Sequence, residues 1–167
     1  MKRFTHTAWL AGLALMMTTS VQAQDAAAVQ ENAAEAEVAA TSGEEWVQFS
    51  NNDRTIYLID LKSFKPVGDA ITARVARVPT QGDASNLTHR VDEYEIKCRG
   101  NQARMMVEIE FDDKGIEVER YPEAGAEFET LLPTSLPAYF KNMPCEGARP
   151  NGAAADSVQA FIARGRQ

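Results

Sequence analysis

Residues that carry chemistry are scarce in this 167-residue chain. It has two histidines, His6 and His89, which excludes a histidine-rich metal cluster. It has no CxxC pair, no phosphate-cradling glycine loop and no serine in a nucleophile-elbow setting. Basic residues are also few, at 17 against 24 acidic ones. That balance repels nucleic-acid phosphates, so a nucleic-acid role is not expected. No catalytic, cofactor-binding or metal-ligating residue can be assigned, and the chain reads as a non-enzymatic protein.

A transmembrane anchor is missing too. The N-terminal apolar run, Ala8 to Met17, is ten residues long, whereas a bilayer span needs about 20. Lys2 and Arg3 before it, and Val21-Gln22-Ala23 after it, make 1–23 a secretory signal peptide cut after Ala23. No lipid-acceptor cysteine follows the cut. The expected compartment is therefore the periplasm or the exterior. Without Lys2 and Arg3 the chain keeps 15 basic and 24 acidic side chains, a formal charge of −9. Cys98 and Cys145 are its two cysteines. In an oxidising compartment two such cysteines are expected to be paired.

Residues 24–45 are rich in alanine and glutamate, with no aromatic side chain, and read as a flexible spacer. From Trp46 aromatic and β-branched residues appear in short runs separated by turn signals. The strands expected are 46–50, 54–60, 70–78, 88–98, 103–112 and 115–121. Gly100-Asn101 suits a two-residue hairpin turn. It sets Cys98 opposite Ala103, Ile96 opposite Met105 and Tyr94 opposite Val107, all on one face. Asp112 to Gly115 suits a type I turn. It sets Phe111 opposite Ile116 and Ile109 opposite Val118, on the same face.

Thr134 or Ser135 can cap a short helix with Pro137 in its first turn. That helix carries Leu136, Tyr139, Phe140 and Met143 on one stripe and stops at Pro144. A Cys98–Cys145 bridge would staple it to the sheet. The bridge closes a loop of about 48 residues, which chain entropy equates with about 4 kcal/mol. The fold class is thus α+β: a single antiparallel sheet of about six strands, domain 46–146, with a short C-terminal helix tethered to one face by a disulfide. Residues 147–167 form a linker and a weak helix with Ala154, Val158, Phe161 and Ile162; whether it docks is open.

Charge and apolar patterning leave two further features. The second hairpin's register sets Glu110 opposite Glu117 and Glu108 opposite Glu119. These four are the possible acidic partner face, with Arg104, Arg120 and Lys114 as the alternative counter-ions. Residues 54–60 and 70–78 also carry apolar side chains on both faces, and one helix covers only one face. The second cover is either a chain terminus or another protomer. The loop 79–87 has no apolar anchor before Leu87 and reads as mobile. His89, beside Arg90 near a strand start, reads as a surface histidine.

The landmarks Trp46, Tyr57-Leu58-Ile59-Asp60, Ser63-Phe64, Gly68, Glu95-Ile96-Lys97-Cys98, Arg104, Pro133-Thr134-Ser135 and Cys145 resemble the surface-adhesin protein E family of Gram-negative bacteria. The resemblance implies a sheet of about six strands with the helix bridged to its concave side. It also implies a dimer and the binding of host proteins. The expected function is that of an exported, protein-binding envelope module, with an unknown protein partner or a homodimer. The alternatives are a small periplasmic hydrolase and an accessory or inhibitor subunit of another envelope protein.

Overall fold

The computed structural model describes residues 43–166. The expected signal peptide and residues 24–42 of the spacer lie outside the described residues. Eight strands occur in the order β1 (Trp46–Asn51), β2 (Thr55–Asp60), β3 (Pro66–Val67), β4 (Ala70–Pro79), β5 (His89–Lys97), β6 (Gln102–Phe111), β7 (Glu117–Pro122) and β8 (Glu129–Thr130). Three short helices follow: α1 (Leu136–Phe140), α2 (Asn142–Glu146) and α3 (Val158–Ala163). All strands join one antiparallel sheet with the path β1-β2-β4-β5-β6-β7; β3 pairs with β4, and β8 with β6. The count of about six is corrected to eight, and the class is largely β. The two extra strands are two-residue pieces, too short to show an alternating pattern.

Both faces of the sheet are apolar. Ile59, Ala73, Val75, Tyr94, Ile96 and Ala103 form one buried layer with Phe140 and Met143 of the first two helices. Ile56, Leu58, Ala76, Val78, Val91 and Ile109 form the other with Val158, Phe161 and Ile162 of α3. We call these the α1 face and the α3 face. The second cover is thus the C-terminal segment, which docks. Each large apolar side chain buried there contributes on the order of 1.5–3 kcal/mol.

One irregularity decides which residue belongs to which face. In the β5–β6 ladder Tyr94 lies opposite Met105, but Glu93 lies opposite Val107, leaving Met106 as an extra residue in β6. Such a bulge shifts the alternation by one and exchanges the faces. Ala103 and Met105 therefore join the α1 face, while Val107, Ile109 and Phe111 join the α3 face. This corrects the expectation that all these side chains share one face. The hairpin turn also spans Cys98 to Asn101 rather than two residues, and only Asn101 (φ 50°) takes a left-handed backbone. Ile96 consequently faces Ala103, and Tyr94 faces Met105.

The second hairpin keeps its expected turn: the Gly115 amide donates to the Asp112 carbonyl, and the Asp112 carboxylate accepts from the Lys114 and Ile116 amides. Its strands slip by another bulge, between Glu110 and Phe111. Ile116 and Val118 end up 55% and 59% exposed instead of buried. The tip packs tightly, for a Cβ on Gly115 (φ 75°) would come within 2.9 Å of Gln159 of α3.

The expected single helix is two pieces, and Pro144 lies inside α2 instead of ending it. It sits in the first turn of α2, where a missing N–H costs nothing. Phe140 and Met143 are buried as expected, but Tyr139 is exposed. Cys98 and Cys145 are bridged, with Cα atoms 5.6 Å apart, within the usual range. Loop 79–87, expected to be mobile, is fastened. Arg166 donates to the carbonyls of Pro79, Gly82, Asp83 and Asn86 at 2.9–3.1 Å.

Replacing both cysteines by alanine should lower unfolding free energy by roughly 2–4 kcal/mol. Urea titration should show the midpoint falling and the slope rising as the unfolded chain loses its cross-link; an unchanged midpoint would show that the bridge does not hold the α1 face closed.

Candidate functional site

Each cover protects only part of its face, and the uncovered parts carry ordered charge. On the α1 face, beyond the helices, alternation aligns Arg77 of β4, Arg90 and Asp92 of β5, and Glu108 and Glu110 of β6. Arg77 bridges Asp92 (2.8 Å) and Glu108, while Arg90 bridges Glu108 (3.4 Å) and Glu110 (2.5 Å). Asp92 is 1% exposed and also accepts a bond from the Tyr94 hydroxyl. Burial raises the pKa of Asp92 and outweighs the pull of Arg77. Burial likewise raises that of Tyr94. Burial alone would lower the pKa of Arg77, but Asp92 and Glu108 raise it. Both Asp92 oxygens are engaged within the protein, so this carboxyl holds the sheet's charge in register rather than facing a ligand.

On the α3 face the corresponding cluster lies at the opposite end of the strands. Arg74 bonds Glu44 at 2.6 Å, approaches Asp60 and Glu93 at 3.7 and 3.8 Å, and lies 5.3 Å from the Trp46 ring. Asp60 is itself buried and accepts from the amides of Glu45 and Lys62. Arg104, displaced to this face by the bulge, makes two bonds to Glu95, at 2.7 and 2.9 Å.

The four glutamates singled out by sequence are not brought together. Glu110 lies opposite Glu119, Glu108 opposite Tyr121 and Glu117 opposite Phe111. Glu108, Glu110 and Glu119 therefore share the α1 face, and Glu117 lies on the other. The counter-ions of Glu108 and Glu110 are Arg77 and Arg90. Glu117 pairs with Arg120 at 2.8 Å, a hydrogen bond that lowers its pKa. Among the described residues, Arg104 and Lys114 bridge none of the four. A hydrogen bond to Glu119 pushes Tyr121 up to about 12. Sequence reasoning missed Arg77, Arg90 and Asp92. The signal for Arg90 and Asp92 is charge at alternate positions, across from Glu110 and Glu108 on the neighbouring strand; Arg77, between Val75 and Pro79, leaves no such pattern.

His89 is not at the surface. It is 2% exposed and stacks on Phe111 with ring centroids 4.3 Å apart. Its Nδ1–H donates to the Leu87 carbonyl at 2.6 Å. Burial lowers its pKa, so it is neutral and structural.

The two ends of the sheet differ. At the β1 edge, Trp46 exchanges two backbone bonds of 2.9 Å with Ala155. Gly152 lies so close that a Cβ there would meet the Gln48 carbonyl at 3.1 Å. At the β7 edge all six residues are exposed, and among the described residues no strand pairs with its outer side. Where β7 ends, β6 has no strand partner at 104–106 on that side among the described residues, because β8 resumes pairing only at 102–103. A cavity of about 530 Å³ opens at this notch, lined among others by Tyr94, Met105, Leu131 and Glu123. Among the described residues no group of three or more potential ligands could hold a metal ion, and no helix is long and apolar enough to cross a membrane.

The chain matches no family model, no curated protein and no solved structure.

Two predictions follow from the buried ionisable groups. Neutral His89 makes the unfolded chain bind more protons below its ordinary pKa of 6.5. Stability should therefore be full above pH 6.5 and fall as the pH drops below it. Thermal melts of His89→Asn across that range should lose this slope. Arg77→Met should cost about 2–3 kcal/mol by leaving Asp92 and Glu108 uncompensated, and adding Asp92→Asn should recover part of it. A denaturation cycle showing no coupling would place the two residues in separate networks.

Proposed function

We propose that this chain is an exported, non-enzymatic protein-binding module of the bacterial envelope, related to the surface-adhesin protein E family. It engages its partner along β7. The observation that supports this reading is the asymmetry of the two edges. An open strand edge presents unpaired backbone N–H and C=O groups and invites another strand. The C-terminal segment caps the β1 edge at Trp46, whereas among the described residues β7 is left open along its length. Ile116 and Val118 add exposed apolar surface there. Glu119, Glu110 and Glu108 run inward from this edge on the α1 face, so the partner meets an acidic flank. The Cys98–Cys145 bridge fits an oxidising compartment.

Val118→Lys tests the reading, because a charge on an edge strand blocks pairing without entering the core. The variant should melt like the parent and lose at least about tenfold in affinity for the partner purified from native envelope. If the occupant is a second copy, sedimentation equilibrium should show a parental dimer and a monomeric variant. Equal binding and equal mass for the two proteins would remove β7 from the interaction.

A further inference from the structure

We infer that the cavity at the β7–β8 notch holds an apolar side chain of a basic partner segment that runs along β7. The inference rests on the β7 reading above and supplies the chemistry of the partner. A strand laid against β7 continues, at its Pro122 end, past residues 104–106 of β6, which have no strand partner on the β7 side among the described residues. The cavity opens there, with a volume of about 530 Å³, inside the range of sites that enclose an organic group. Tyr94, Met105 and Leu131 give it an apolar floor, and Glu123, Glu127 and Glu129 stand around it, all three exposed. Arg104 is the one basic residue in the lining, and it is already engaged by Glu95 and by the Ala126 carbonyl. Its guanidinium also stacks on Phe128 at 4.4 Å.

The net field at the mouth is therefore negative, while the floor is apolar. An anionic segment would be repelled, and a purely polar cation would leave the floor wet. A segment alternating basic and apolar side chains satisfies both: its charges meet the rim, and one apolar side chain fills the cavity. Electrostatic complementarity of this kind sets partner choice and association rate. Leu132, 64% exposed at the same cavity, extends the apolar surface toward such a segment.

The test uses the whole disulfide-bridged chain and three labelled synthetic peptides of equal length, alternating Lys with Leu, Lys with Ser, and Glu with Leu. Fluorescence anisotropy should show the Lys–Leu peptide binding at least about tenfold more tightly than either of the others. Thr130→Trp, which fills the cavity from the exposed face of β8, should weaken Lys–Leu binding by a similar factor. If Thr130→Trp lowers the melting temperature, the triple change of Glu123, Glu127 and Glu129 to Gln replaces it, with the same loss expected. Equal binding of Lys–Ser and Lys–Leu would overturn the inference, since charge alone would then account for attachment. Loss of Lys–Leu binding in Val118→Lys but not in the cavity variants would overturn it while leaving the β7 reading intact. Binding unchanged in every variant would overturn both.

Discussion

The extra residue in β6 is the constraint on which the rest of this architecture depends. A regular β6 would put Ala103, Met105, Val107 and Ile109 on one face and load that face with most of the apolar surface. By inserting Met106 between two ladder pairs, the sheet divides them. Neither face is then wholly apolar, and neither can be left to solvent. Two covers are required, and the chain supplies both after the last strand. Each is too short to be a stable helix alone, so each needs an anchor. For α1 and α2 the anchor is the bridge from Cys145 to Cys98. For α3 it is side-chain burial, reinforced by the Trp46–Ala155 backbone pair and the four carbonyl bonds of Arg166.

The same exchange of faces organises charge. Because β6 changes sides midway, Glu108 and Glu110 turn toward the α1 face at the end its helices do not reach, and there Arg77, Arg90 and Asp92 meet them. Arg104 turns the other way and meets Glu95 where α3 does not reach. Ion pairs with this much exposure add little stability one at a time, and the buried Asp92 costs desolvation. Their effect is better understood as register. A slip of β6 by one residue would turn Glu108 and Glu110 away from Arg77 and Arg90 and set apolar side chains against those arginines, so the charged halves penalise the same error as the apolar halves.

Much of this was legible in the sequence. The period-two runs located all six long strands, and apolar residues on both faces of 54–60 and 70–78 required a second cover. Two lone cysteines in a chain expected to be exported indicated the bridge. The bulge was hidden because Met105-Met106-Val107 is apolar at three successive positions, so either phase of alternation reads equally well. The β7 slip was hidden for a related reason: Ile116 and Val118 look like core residues until the bulge opposite Phe111 turns them outward. The mistaken grouping of Glu108, Glu110, Glu117 and Glu119 follows from that one slip. His89 was misread through its neighbour Arg90, whereas its partner Phe111 lies across the ladder and only the fold reveals it. The notch at 104–106 could not be foreseen, because β8 is too short to leave a pattern.

The two edges of the sheet show where the fold stops resisting additional strands. At β1 three features act together: the Ala155 backbone pair, the close approach of Gly152, and the ion pair between Arg149 and Glu45. Residues between α2 and α3 thus return to close the first strand. At β7 none of these devices is present among the described residues, and the usual edge defences are partial. Pro122 protects only the last position, the bulge at Val118 bends the strand but leaves its side chain in solvent, and Glu117 and Arg120 neutralise one another. An edge meant to repel every strand would carry unpaired like charge along its length. Here the charge left unpaired among the described residues lies to one side, in Glu119 and in the carboxylates around the notch, so under the proposed reading it would select among strands by their charge instead of refusing all of them.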